Sequence, residues 1–590
     1  MMHVDPLRTW VSETGGTGHS TTPAGLQSAG TLRWRRRGVL AVNVTTCLAL
    51  LALTGLVLGA EGWSAVDLAL FACCGLALPW TVMGFWNAAI GLRLLAMGPS
   101  GLAAVAPFHV PEREPIRVAT AVVMTLRNED PGRALARLER IKASLDANGE
   151  GAAFAYHILS DSDDPAIAVA EELAVAACRE RYPETAERIF YRRRPNNCGF
   201  KAGNLQDFCR QFGDLYELML PLDADSVMDG ACILRLVRIM QAHPRIGILQ
   251  SLVVGMASQS PFARIFQFGM RQGMRPYTMG AAWWMGDCGP FWGHNALVRI
   301  TPFAAHCRLP DLPDGMFGGP ILSHDQIEAV LMRRAGYEVR VLPVEGGSFE
   351  ENPPTLFDHV EREARWCFGN LQYVRLMGLR GLPATSRFQL AAAVMMFLTP
   401  PALTLALLLL PLKLLELEDT FPAWLAASLY LAWLVGSIAP KLAGYAETLA
   451  SRRASGSFGG RVKFASGALV EIVFSLNLFS VICFWLTLFM AQRLVSWRHE
   501  WGRQNRDIQR VDFALASRRL WPCSAFGLGL ALWISWLSPT AFLWSLPLLS
   551  GHLLCIPLAF ASAAPALGAL MVRSGLCSIP EELGIRADEA

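Results

Sequence analysis

Seven long apolar runs constrain this chain more than any other feature. A bilayer-spanning helix needs about 20 predominantly apolar residues, and such runs occur at Val39 to Ala60, Ala65 to Leu95, Leu390 to Leu410, Phe421 to Ile438, Leu469 to Met490, Leu520 to Leu537 and Leu543 to Ala564. Of the 590 residues 53% are hydrophobic and 17% charged, a balance too apolar for an ordinary soluble protein. The chain is therefore expected to be a membrane protein. Its net charge of +3 gives no reason to expect nucleic acid as a partner. The 14 cysteines show no metal-type spacing and read as reduced packing residues.

Basic residues set the expected orientation, because cytoplasmic flanks carry excess Lys and Arg. Arg33 and Arg35 to Arg37 place the N-terminus in the cytoplasm, behind a Gly/Ser/Thr-rich stretch expected to be disordered. The fifth run is basic on both sides. Lys441, Arg452, Arg453, Arg461 and Lys463 precede it, and Arg493, Arg498, Arg503, Arg506 and Arg510 follow. If both flanks are cytoplasmic, residues 469–490 lie in the interface or re-enter, leaving six full spans. An ordinary seventh span is the alternative.

The resulting plan has a disordered cytoplasmic segment 1–38, a transmembrane hairpin 39–97 and a cytoplasmic domain 111–382. Transmembrane and interfacial helices follow over 383–565 with a cytoplasmic loop 492–515, and a cytoplasmic tail closes the chain over 566–590.

Within 111–382, apolar β-rich runs at 116–124, 153–159, 188–193, 216–222 and 246–254 alternate with helical patterns at 131–147, 165–181, 202–212 and 231–242. That alternation predicts parallel βαβ units in a doubly wound sheet, an α/β fold joined to transmembrane α-helices. Loops after such strands share one face, where open α/β sheets bind ligands.

Acidic residues recur in those loops. "TLRNED" supplies Asn128, Glu129 and Asp130, "SDSDD" supplies Asp161, Asp163 and Asp164, and "LDADSVM" supplies Asp223 and Asp225. Asp325 opens a later helix. Any one could be a helix cap, but acids after three strands of one sheet repel one another unless a cation or ligand compensates. Hard divalent ions take oxygen ligands and keep substrate phosphates among them. Lys201 in "FKAGNLQDF" offers a point charge for a diphosphate, or is a solvated lysine. Arg365 and Trp366 in "RWCFGN" suit a sugar ring, with stacking on the indole and hydrogen bonds from the guanidinium; a tryptophan packed at the membrane boundary is the alternative. The aromatic "WWMGDCGPFWGHN" at 283–295 reads as a carbohydrate-binding loop or an interfacial segment.

Together, Asn128-Glu129, Asp161, K-A-G-N at 201–204, D-A-D at 223–225, His324-Asp325 and R-W at 365–366 resemble the processive family 2 glycosyltransferases, which include cellulose synthase. The longer strings "ILSDSDD", "RIFYRRR", "FWGHN", "ILSHD", "LMRRAGY" and "IPEE" resemble the glucosyltransferase H group of osmoregulated periplasmic glucan synthesis. The resemblance implies a glycosyltransferase A type sheet, a UDP-glucose donor, a growing β-glucan acceptor and Mg²⁺ or Mn²⁺. By it, Glu129 and Asp161 hold the uridine, Lys201 the diphosphate and Asp223 the nucleotide-sugar. Asp225 is the metal ligand, Asp325 the catalytic base, and Arg365 and Trp366 hold the acceptor. It also implies the bacterial inner membrane, membrane lipid around the helices, and acyl carrier protein and periplasmic glucan-processing proteins as partners.

Two positions depart from the family pattern: Arg362 stands where the family has Gln in Q-x-x-R-W, and Arg127 replaces an aromatic before Asn-Glu. Cellulose-, chitin- or hyaluronan-type synthesis, and a non-catalytic UDP-sugar sensor, are the competing functions. The charged stretch 497–510 is either a loop that folds over the nucleotide site or a basic helix on anionic lipid.

Overall fold

The computed structural model describes residues 26–108, 114–418, 420–495 and 510–584. The expected disordered stretch up to residue 25, most of the loop 497–510 and the tail from residue 585 lie outside the described residues.

Two long helices come first, α1 (Ala29–Leu58) and α2 (Ala65–Ala96). The expectation of an unstructured segment through residue 38 is corrected here, since α1 already starts at Ala29. Ser28 caps it by accepting from the Thr31 amide at 3.1 Å, and the four arginines that follow are good helix formers.

The block that follows contains β1 (Thr120–Leu126), α3 (Pro131–Ala147), β2 (Phe154–Ser160), α4 (Pro165–Arg181), β3 (Ile189–Arg193), α5 (Phe200–Phe212) and β4 (Leu218–Asp223). It continues with β5 (Val227–Met228), α6 (Gly230–Ala242), β6 (Ile246–Ser251), β7 (Val254–Gly255), α7 (Pro261–Met285) and β8 (Ala296–Arg299). It closes with α8 (Asp325–Arg334), β9 (Glu338–Leu342), β10 (Ser348–Glu350) and α9 (Leu356–Leu371).

Seven strands form one sheet in the order β3-β2-β1-β4-β8-β6-β9. Only β8 runs antiparallel to its neighbours, β4 and β6. The alternation of strand side chains divides the core in two: Ala121 and Val123 of β1 face one buried cluster, while Val122 and Met124 face the other. A sheet covered on both faces is the doubly wound arrangement expected. Strands β5, β10 and β7 make a small second sheet beside the ends of β4 and β6.

Helix α7 joins this domain to the long helices. Gly91 of α2 and Gly280 of α7 face each other so closely that a Cβ on Gly91 would lie 1.8 Å from the Pro276 carbonyl oxygen. Small residues let helix backbones touch in this way. The last turn of α7 is capped from outside: Arg35 donates to Trp283 O at 3.1 Å, and Arg36 to Met285 O at 2.6 Å. Such bonds satisfy carbonyls that a helix end leaves open.

The remaining described helices of ten or more residues are α10 (Ala384–Leu415), α11 (Ala423–Ala450), α12 (Arg461–Val495), α13 (Phe513–Leu537), α14 (Pro539–Ser562) and α15 (Pro565–Ser574). With α1 and α2, α10 to α14 make seven described helices long and apolar enough to cross a membrane. Residues 469–490 sit within α12, one uninterrupted helix of 35 residues. Early in α12, the buried Glu471 accepts from Lys441 and Tyr445 of α11. Later, Thr487 donates to Thr404 of α10 at 3.1 Å.

The end of the chain folds back onto α7. Glu582 pairs with Arg264, and Glu581 with Arg271, whose Nε also donates to Glu345 at 2.8 Å. Arg264 and Arg271 are buried at 0% and 2% exposure, so each needs its carboxylate partner. The "IPEE" string is thus a strap across α7.

Candidate active site

Strand register brings the acidic loops together. Leu126 of β1 lies opposite Ser160 of β2, and Thr125 of β1 opposite Asp223 of β4. The loops beginning at Arg127, Asp161 and Ala224 therefore leave three adjacent strands on the same edge. Asn128 ties the first two: its backbone, at φ +57°, donates to Ser162 Oγ at 2.8 Å, and its Oδ1 accepts from the Asp163 and Asp164 amides at 3.1 and 3.2 Å. Asn is among the few residues that tolerate this left-handed conformation. The hydrogen bond from Asn128 holds Asp163 below the usual carboxylate pKa.

One cavity of about 1010 Å³ is lined by Glu129, Asp161, Lys201, Asp223, Asp225, Asp325, Arg365 and Trp366. Every candidate residue thus reaches the same space. Glu129 accepts from the Arg127 amide at 2.6 Å. Asp161 takes a bidentate pair from Arg194 at 2.7 and 2.8 Å, in a nearly buried contact. Lys201 donates to Asp223. Asp325 starts α8 beside Gly293; a Cβ there would lie 3.4 Å from Asp325 Cβ and 3.9 Å from Lys201 Nζ. Gly293, at φ +83°, therefore marks where Asp325 and Lys201 approach.

His294 completes the wall. Its Nδ1 is 3.3 Å from Ser226 Oγ and its Nε2 is 3.3 Å from Glu350. Ser226 Oγ in turn accepts from the Asp223 amide at 3.1 Å. Burial disfavours the charged imidazole, but Asp223 and Glu350 outweigh it and lift the pKa to about 9. His324, before the candidate base, bonds Glu328 at 2.9 Å; burial again opposes charge, and Glu328 raises the pKa nonetheless.

The cavity does not stop at the sheet edge. Thr81 and Gly84 of α2, Phe388 and Met396 of α10, and Trp433 and Ser437 of α11 line its far part. Polar chemistry and the apolar helices thus share one continuous space.

Comparison with known proteins agrees with this geometry. The Glycosyl transferase family 2 profile matches residues 121–306, and the Glycosyl transferase family group 2 profile matches 218–436. A Glucans biosynthesis glucosyltransferase H of Pseudomonas paraeruginosa is 33% identical over 96% of this chain and 71% of its own length. The chain belongs to this glucosyltransferase family. Relatives of the same name from Pseudomonas putida and Dickeya dadantii are 36% and 37% identical over 86% and 85% of the chain. The chain spans 61% of the length of each of these two.

Family 2 glycosyltransferases generally depend on a divalent metal. Among the described residues no three His, Cys, Asp or Glu side chains gather as a cage. Asp223 and Asp225, which line the same cavity, have the hard oxygen chemistry such an ion needs, and a phosphate-bearing substrate can supply the remaining ligands. These two carboxylates therefore fit a divalent ion whose remaining ligands come from a bound phosphate.

Arg194 and His294 carry weight that the sequence did not single out. Arg194 reads as part of the charged run "YRRRP", and only the fold sets it against Asp161. His294 was visible in "FWGHN", but its partners Ser226 and Glu350 lie far away in sequence.

Proposed function

We propose that this chain is an inverting glucosyltransferase that polymerises glucose from UDP-glucose into a β-glucan and passes the chain into the helix-lined part of the same cavity. The observation that carries this reading is the continuity of that cavity, from the carboxylates at the strand ends to α2, α10 and α11.

In this reading Glu129 and Asp161 receive the uridine, the latter oriented by Arg194. Lys201 and Asp223 flank the diphosphate. Asp225 with Asp223 would hold Mg²⁺ or Mn²⁺, which when bound offsets charge on the diphosphate. Lys201 adds a fixed positive charge where the leaving group becomes more negative. Asp325 accepts the proton of the acceptor hydroxyl as that oxygen attacks the anomeric carbon. The new glycosidic bond forms as the bond to UDP breaks, and UDP leaves with the electron pair. A single displacement inverts the carbon, so an α-linked donor gives a β-glucan. Arg365 and Trp366 steady the acceptor.

In the same reading the domain 111–382 and both termini lie on the cytoplasmic side of a bacterial inner membrane. The six-span reading, with α12 in the interface, rests on the basic residues at both of its ends. An ordinary seventh span is the second reading, because Thr487 bonds Thr404 inside α10 and a Cβ on Gly551, midway along α14, would lie 2.2 Å from Asn477 O. Cysteines placed at the exposed positions Val462 and Leu494 should be labelled by an impermeant reagent from the same side; opposite sides would make α12 a true span.

The experiment that tests the function is incubation of the purified protein in lipid with labelled UDP-glucose, UDP-N-acetylglucosamine or UDP-glucuronate and Mg²⁺, followed by linkage analysis. A β-glucan from UDP-glucose alone is expected. A polymer of another sugar would move the chain to a different synthase class, and UDP-glucose binding without turnover would favour the sensor.

A further inference from the structure

Arg362 departs from the family motif, and its surroundings give it a task. On α9 it lies one helical turn before Trp366, with its guanidinium 4.5 Å from the centre of the indole and 5.4 Å from the centre of the Phe266 ring on α7. Its Nη2 lies 3.2 Å from His359 Nδ1. Burial and the neighbouring Arg362 keep that imidazole's pKa well below the ordinary value, so the neutral ring can accept. The Glu363 carboxylate is 3.7 Å away, and Asp225 and Glu350 also act on the charge. Arg362 Nε is buried and, among the described residues, has no hydrogen-bond partner. Trp366 itself remains 43% exposed, and Phe266, Arg362 and Trp366 all line the cavity.

We propose that Arg362 is a positioning residue for the acceptor: it bridges Phe266 and Trp366, covers one part of the indole, and leaves a single exposed surface on which the terminal sugar of a neutral β-glucan can stack. This rests on the glucosyltransferase reading above. A planar guanidinium stacks on aromatic faces, which neither a lysine ammonium nor a glutamine amide does as well. A fixed indole would hold the growing end while UDP leaves and fresh donor enters. The consequence is longer chains and less loss of donor to water.

The test compares wild type, R362Q and R362K in lipid with labelled UDP-glucose, measuring UDP affinity, glucan length and the ratio of glucose released to glucose polymerised. Both variants should shorten the product and raise the hydrolysis ratio on the order of 3- to 30-fold, the range of one cation–π contact, with UDP affinity unchanged. If R362K matches wild type, charge alone suffices and the stacking role is overturned. If UDP affinity falls in proportion to polymerisation, the residue serves the diphosphate and the proposal fails. Failure of the glucosyltransferase reading would appear separately, as no glucan from the wild-type protein.

Discussion

Lys201, on the first turn of α5, donates its ammonium to Asp223 at the end of β4. The cation expected to face the diphosphate is thus held in place by the acid expected to face the nucleotide-sugar. Charge-assisted hydrogen bonds are worth about 1.5–3 kcal/mol. K201A should weaken UDP binding by roughly 10- to 100-fold, read by titration calorimetry in detergent. Unchanged affinity would remove Lys201 from the donor site.

His294 gives the site a pH signature. Its folded pKa of about 9 lies above the ordinary 6.5, so protonation stabilises the fold. That contribution is complete below the unfolded value and is lost as pH rises through about 9. Thermal unfolding midpoints should therefore fall between pH 6.5 and 9 more steeply in wild type than in H294Q. Parallel curves would show that His294 is not held charged by Asp223 and Glu350.

Much of the α/β domain was legible because its signals are local. Helices α3 and α4 have the expected limits, since Asp130 and Asp164 cap them and a proline opens each first turn. That Glu129, Asp161, Asp223 and Asp225 would share one face was legible for the same reason: they follow short apolar runs bounded by turn residues, which read as buried strands. Strand β8 escaped notice because it is four residues long and finds its partners in β4 and β6. Helix α7 escaped too. Gly269, Gly273, Pro276 and Gly280 look like helix breakers in sequence, and only the close approach of α2 at Gly91 shows why small residues are needed at Gly280. Arg362 was recognisable as a departure, but its task depends on Phe266, a residue of that unseen helix.

The C-terminal strap should matter for stability. Arg264 is 0% exposed and meets both oxygens of Glu582. Removing one partner of a buried pair typically costs about 3–5 kcal/mol, whereas replacing both by apolar residues is often tolerated. E582Q should lower the unfolding midpoint in detergent clearly, and R264M/E582M should recover most of the loss. Because α7 lines the cavity through Met270 and Met274, polymerisation should fall and recover with it. An E582Q protein as stable as wild type would show the strap to be dispensable.

Asp325 carries the proposed chemistry. With D325N purified in lipid, UDP affinity and unfolding midpoint should match wild type while glucose incorporation from UDP-glucose drops by about 10²- to 10⁴-fold, the usual contribution of a general base. Undiminished glucan synthesis by that variant would contradict the assignment of the base and, with it, the proposed arrangement of donor and acceptor around it.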